Sequence, residues 1–210
     1  MKARLLILMF LFYLISCSNQ NHSTQAPIRN SFAWDKWLEQ PDCYPPCWVN
    51  ITPGKTTIEN ALSTLENLPD VIITFQSQDM VGWEYKNPRS GAGTLIAYQG
   101  VITGIRVGVP PSENLELSKI FNVYHYPDYV NLYDCREGMC STILVYIDEG
   151  MILGIYVPNY GSENVPRIEI ASKSIVNDVW FFPSGMDGFK KSAFQNIDLL
   201  TAWKGYGIYP

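Results

Sequence analysis

The chain has 210 residues, 47% of them hydrophobic and 17% charged, a balance that excludes a disordered tail and predicts a packed core. Its 20 acidic residues outnumber 15 basic ones and no basic run occurs, which argues against nucleic acid or an anionic headgroup surface as a charge-held partner. The 13 Tyr, 9 Phe and 6 Trp suit sheets and packed interfaces alike, so aromatic content alone does not separate core from binding surface.

Lys2 and Arg4 precede an apolar block from Leu5 to Ile15. The block has the length of a signal-peptide core and is too short to span a bilayer as a permanent helix. It stops at Leu14-Ile15-Ser16-Cys17, the pattern of a bacterial lipobox. On this reading residues 1–16 are a signal peptide cleaved before Cys17, whose thiol carries a diacylglycerol, with a further acyl chain on the new amino terminus. Two or three chains hold a protein on a membrane where one does not. The alternative is an ordinary cleaved signal with no lipid. The expected location is the extracytoplasmic face of a bacterial membrane. Loss of Lys2 and Arg4 leaves 13 basic against 20 acidic residues in a mature chain of 194, a net charge of −7. Residues 17–31 then read as a lipidated polar tether rich in Ser, Asn and Gln.

Residues 32–50 form an aromatic elbow. Trp34, Trp37 and Leu38 fall at helical spacing, and the run Pro41-Asp42-Cys43-Tyr44-Pro45-Pro46-Cys47-Trp48 cannot continue a helix, because proline lacks the donor and clashes with the preceding turn. With Cys17 assigned to lipid, four cysteines remain as two close pairs, Cys43 with Cys47 and Cys135 with Cys140. An even number outside the cytoplasm suggests disulfides, and sequence proximity favours the local pairing of the three possible. A zinc site competes for the same spacings, although structural zinc more often uses C-x2-C knuckles.

Residues 51–109 read as a first α-β-β-β unit. Thr56 is placed to cap a helix, with Glu59 completing a capping box, and Ile58, Ala61, Leu62, Leu65 and Leu68 share one helical face. Gly54-Lys55-Thr56 is not a phosphate loop, since Val49 stands where that loop needs glycine. Val81–Tyr85, Thr94–Tyr98 and Val101–Val107 have the composition of an antiparallel meander, while Val71–Phe75 is either a strand or an extended connection. Residues 110–158 repeat the pattern: a helix over Leu115–Tyr124, then strands Tyr129–Cys135, Ser141–Ile147 and Met151–Val157. Thr94–Val107 aligns with Thr142–Val157 and matches Gly104 with Gly154, which predicts an internal duplication. Residues 159–210 leave the repeat. Arg167–Ile170 and Ile175–Phe182 are expected strands, Phe189–Trp203 is weakly helical, and the segment is expected to cover an open edge or face of the sheet. The fold class is therefore α+β, tandem helix-plus-meander units forming one sheet with helices on one face, followed by a β-rich extension.

The lipobox, the Pro-Cys-Trp followed by Ile-Thr-Pro-Gly-Lys-Thr-Thr, and the paired units resemble a group of bacterial envelope lipoproteins. The α-β-β-β unit is similar to that of the small outer-membrane assembly lipoprotein (BamE/SmpA type) and, in duplicated form, of the β-lactamase inhibitory protein. The resemblance runs from about Trp48 to Val157. It implies a helical layer on an antiparallel sheet used for protein contact, and it carries over no binding residue.

Catalytic chemistry is not written in the chain. His125 stands between Tyr124 and Tyr126 at the end of the second helix, where the dipole alone accounts for a histidine. There is no Gly-x-Ser-x-Gly elbow, and the acids of Asp148-Glu149-Gly150 suit a hairpin turn. Asn164, Asp178 and Asp187 are candidate calcium ligands whose spacing fits no known loop. No cofactor, metal or catalytic set follows. The function expected is a membrane-anchored interaction or scaffold module with a protein partner. The alternative is an envelope carbohydrate-binding protein or hydrolase that uses an aromatic sheet face.

The anchor is directly testable. Cys17→Ala should move the protein from the membrane fraction to the soluble fraction of the envelope, because Leu5–Ile15 does not hold it alone. A variant that stays in membranes after signal cleavage would remove the lipobox reading.

Overall fold

Apolar residues that alternate along the strands become the inner face of a single sheet. A computed structural model describes residues 34–39, 43–86, 91–162, 165–192 and 199–210. Cys17 and the tether lie outside these residues. In chain order the elements are α1 (Trp34–Glu39), α2 (Ile58–Glu66), β1 (Val71–Gln76), β2 (Met80–Tyr85), β3 (Ala92–Tyr98) and β4 (Val101–Gly108). They continue with α3 (Leu117–Tyr124), β5 (Tyr129–Arg136), β6 (Met139–Tyr146), β7 (Met151–Pro158), β8 (Ile168–Ile170) and β9 (Val176–Phe181), then α4 (Met186–Lys191), β10 (Thr201–Ala202) and β11 (Gly207–Tyr209).

Nine strands form one antiparallel sheet in the order β1-β2-β3-β4-β9-β7-β6-β5-β10, and β8 pairs with β11 in a small ribbon. The expected α+β class holds. Val71–Gln76 proves to be a strand, so four strands follow α2 where three follow α3. The chain after Pro158 is not a cover laid over a finished sheet. Its β9 enters the middle, with Val107 and Leu153 on either side of Val179, and Ile105 and Met151 on either side of Phe181. The two meanders are joined through this strand and not to each other.

Register decides which side chains meet. Val81, Trp83, Leu95, Ile105, Val107, Val179, Phe181, Leu153 and Leu144 lie in the larger buried cluster with Trp34 and Trp37 of α1, Ala61 and Leu65 of α2, and Leu117, Ile120 and Phe121 of α3. The intervening residues Ile143, Val145 and Ile152 bury on the other face, with Phe182 and Phe189. Residues of α1 to α3 join the larger cluster whereas α4 supplies Phe189 to the other, so the expected placement of the helices on one face is not confirmed.

The expected duplication is not confirmed, because the two hairpins pair differently. Ile96 faces Gly104 in the first hairpin, whereas its counterpart Leu144 faces Leu153 and Gly154 faces Ile143. The loops differ in length, two residues at Gln99-Gly100 against four at Ile147–Gly150. An unpaired Thr103 shifts the first ladder as well. A slip of one residue turns a strand over. Leu95 therefore buries under the helices while Ile143, aligned with it, joins the opposite cluster.

Two local expectations are also corrected. The cap of α2 is Thr57, whose hydroxyl accepts the Asn60 N–H at 3.3 Å, while Thr56 accepts the Thr52 N–H at 2.9 Å and helps shape the preceding turn. The weakly helical reading of Phe189–Trp203 covers the end of α4, but Thr201–Ala202 is an edge strand against Tyr129 and Val130. Residues 193–198 of that stretch lie outside the described residues.

Trp83 occupies the space left by a missing side chain. It stacks on Trp48 at 4.9 Å and 15°, and its indole lies across Gly93 on the next strand. A Cβ at Gly93 would strike that ring and sit 2.6 Å from the Arg106 carbonyl oxygen. Gly93→Ala should therefore cost about 1–3 kcal/mol through overpacking. That loss lowers Tm by about 2–4 °C per kcal/mol in a protein of this size. Thermal unfolding followed by near-ultraviolet circular dichroism checks it, and an unchanged Tm would refute the tight packing of Trp83.

Candidate interaction surface

The cysteines pair as their spacing predicts. Cys43 bonds to Cys47 with Cα atoms 5.6 Å apart, and Cys135 bonds to Cys140 with Cα atoms 4.0 Å apart. The second bond joins directly opposed residues next to the Arg136–Met139 pair that closes the hairpin. The loop is two residues, Glu137-Gly138. Glu137 and Gly138 both take positive φ, 50° and 77°, as a twist-matched hairpin turn requires. The first bond folds the elbow so that Trp48 buries completely against Trp83. Both bonds shape backbone and leave no free thiol among the described residues.

Beyond the disulfides, three regions stand out. The first is the face of β1, β2 and β3 opposite the helices. Gly82 lies between the buried Val81 and Trp83, so its partner Phe75 points to the open side. Thr74 is an extra residue in β1, and this bulge brings Ile72 and Phe75, three apart in sequence, to the same face. Met80 faces Ile96, and Tyr98 alternates with the buried Ala97. The result is an uncovered apolar patch in which Ile72, Phe75, Met80 and Tyr98 are 44%, 53%, 40% and 66% exposed.

The second region is the centre of the same face, where polarity changes. Arg106 reaches Asp178 at 3.4 Å and lies over the Trp180 ring at 4.9 Å, while the Trp180 indole N–H donates to the same carboxylate. Gly154 leaves the room that Asp178 fills, since a Cβ there would stand 2.9 Å from its Cγ. The carboxylate is thus committed to knitting β4 to β9. It is not free to hold calcium. Asp187 sits apart in the first turn of α4, and Asn164 lies outside the described residues. Among the described residues no group of three or more His, Cys, Asp or Glu could hold a metal ion.

The third region is an aromatic knot at the end of α3. Phe121, Tyr126, Trp203 and Tyr206 contact one another with ring centroids 5.4 to 6.4 Å apart, and Tyr209 stacks on Trp203 at 5.7 Å. Its members from the C-terminal segment escaped the sequence reading, although the density of Trp and Tyr in Trp203–Tyr209 was a signal. His125 is the C-cap of α3, with φ 65° and ψ −158°, a conformation that side chains resist, and its carbonyl accepts the Tyr146 hydroxyl at 3.3 Å. The knot fastens the C-terminal segment to α3.

Among the described residues no helix is long and apolar enough to cross a membrane. Against known proteins, no family model, curated protein or solved structure matches the chain. The likeness to the assembly lipoprotein therefore rests on the motifs alone.

Two measurements follow. Replacing Cys135 and Cys140 together by Ser should leave the fold intact and cost at most about 2 kcal/mol, because the closed loop is short. Thermal unfolding reads the loss, and a peptide joining Cys43 or Cys47 to Cys135 or Cys140 in a proteolytic digest of the unreduced protein would overturn both pairs. Burial, aided by the nearby Tyr44, pushes the Tyr124 hydroxyl up to about 12. Burial raises Tyr85 and Tyr146 further, with Asp70 acting on the first, and Glu149, Tyr206 and Asp128 on the second. Folded-state values above the unfolded tyrosine value of about 10 mean that stability is complete below pH ~10 and is lost as pH rises toward the folded values. Tm should be level from pH 8 to 10 and fall beyond it. Titration of every tyrosine near pH 10 with the fold intact would contradict this.

Proposed function

We propose that the protein is a lipid-anchored module on the extracytoplasmic face of a bacterial membrane that binds another protein through the open face of β1, β2 and β3. The lipobox at Cys17 and the polar tether support the anchoring, and the two disulfides suit an oxidising compartment. The observation that carries the binding reading is the uncovered patch of Ile72, Phe75, Met80 and Tyr98. Contiguous exposed apolar surface rimmed by polar groups marks interaction sites more often than it marks idle surface. The rim here is the Arg106–Asp178 pair. The alternative carbohydrate reading draws on open Trp and Tyr rings of a sheet face; Trp34, Trp37, Trp48 and Trp83 are spent on the core and Arg106 lies over Trp180, so of the four patch residues it retains Tyr98.

A photo-crosslinking residue placed at Met80 in intact cells tests the reading. Capture of a discrete protein at Met80, absent when the probe sits at the exposed Lys173 and lost when Phe75→Asp is added, is the expected result. Equal capture at both positions, or none at Met80, would defeat it.

A further inference from the structure

The register of the sheet gathers two kinds of feature at one end of its strands. Ile105 and Met151 both face Phe181, so the Gln99-Gly100 turn before β4 and the 147–150 turn before β7 lie at the same end. There β5 begins, since Tyr129 faces Val145, and there α3 finishes, since the His125 carbonyl accepts the Tyr146 hydroxyl. The chain also enters its fold at this end, because Trp37 of α1, the first described element, packs on Phe181 and on Tyr124. The second feature is exposed tyrosine. Tyr126 and Tyr206 touch one another and Phe121, and Tyr44 lies close enough to Tyr124 to act on its hydroxyl, on the elbow whose Pro46 packs against Gly150. Tyr44, Tyr126 and Tyr206 are 73%, 63% and 40% exposed. A ring on an apolar body with its hydroxyl in water suits a membrane–water interface.

We propose that this end of the sheet rests on the bilayer, with Tyr44, Tyr126 and Tyr206 in the headgroup layer of zwitterionic phospholipid. The proposal rests on the lipid-anchored reading above and adds to it the orientation of the body. Exposed tyrosine alone does not select an end. Tyr160 is 65% exposed at the other, where the neighbouring Asn159 N–H donates to the Gly138 carbonyl of the β5–β6 turn. The point of entry decides. Residues 17–31, the tether read from the sequence, lead to α1. A polar chain of that length spans about 20 Å on average, close to the body's own radius of gyration of about 16 Å. The end that carries α1 therefore reaches the bilayer with the tether relaxed. For the opposite end to do so, the tether must run a further length of about 27 Å, that of the eight residues of β7. Headgroup charge follows from the same residues. Asp128 and Glu149 stand close enough to act on the Tyr146 hydroxyl, and no basic run offsets them, so rings and hydroxyls make the contact and anionic lipid does not strengthen it. Tyr98 of the open-face patch precedes the Gln99-Gly100 turn, so in this orientation the patch opens beside the bilayer surface.

A photo-crosslinking residue at Tyr126 of the full chain in intact cells, compared with the same probe at Tyr160, tests the orientation. Mass spectrometry of the purified protein should show phospholipid adducts at Tyr126 about tenfold above those at Tyr160. The lipidated protein in phosphatidylcholine vesicles should give the same ratio, and added anionic lipid should not raise it. Tyr44→Asp changes an exposed side chain and should lower the Tyr126 adduct severalfold with Tm unchanged. Equal adducts at Tyr126 and Tyr160, a protein captured at Tyr126 in place of lipid, adducts that need anionic lipid, or a Tyr126 adduct indifferent to Tyr44→Asp would overturn the proposal. So would a protein that stays in membranes through Cys17 yet gives no adduct at Tyr126, and in that case the anchored module stands. Unaltered protein found in the soluble fraction with the Cys17→Ala variant would instead remove the anchor, and the orientation with it.

Discussion

The hydrogen bonds of β9 to β4 on one side and β7 on the other are what make a single sheet of this chain. Without them the first four strands and β5, β6 and β7 would be separate meanders, each with an exposed inner edge. The side chains of β9 serve both layers. Val176, Val179 and Phe181 fill the large core, Trp180 packs against the smaller one, and Asp178 ties Arg106 of β4 to the strand while resting on Gly154 of β7. Even the helical packing follows from this insertion, since Phe181 meets Trp37 of α1 at 6.0 Å and Trp37 in turn meets Tyr124 of α3 at 5.6 Å.

The same arrangement divides the open face into parts with different work. Over β6 and β7 the second cluster closes beneath α4, where Phe189 packs on Phe182. At the centre the surface is polar and internally satisfied. Over β1 to β3 no described element lies on the apolar residues, and their exposure is the main departure from a self-sufficient core. Burying such surface stabilises by about 25 cal/mol per Å², so leaving it open forgoes stability that a partner can recover.

What the sequence disclosed is what depends on near neighbours. Cys135 and Cys140 could be paired because a hairpin turn fits between them, and the meander strands could be read from β-branched runs and turn residues. Val71–Phe75 stayed ambiguous because it shows no alternation, a property explained by the bulge that puts Ile72 and Phe75 on one side. The misplacement of the α2 cap by one residue came from two adjacent threonines, both of which hydrogen-bond the backbone. Gly104 and Gly154 looked like repeat markers. Alignment cannot show that loop length and a bulge shift the pairing around them. Least legible was the position of β9, since Ile175–Phe182 announces a strand but not its neighbours, and pairing across about seventy residues leaves no local trace.

The central position of β9 also bears on how the chain reaches its fold. Chains emerge amino terminus first, and contacts between distant residues are slow to form because loop closure must precede them. The meanders can assemble early from local pairings. The outer sides of β4 and β7 then wait for a strand that is made some seventy residues after the first of them. During that interval the growing protein presents two apolar, unpaired ladders to its surroundings, and the efficiency of its biogenesis turns on how well they are shielded until β9, in the last fifth of the chain, arrives.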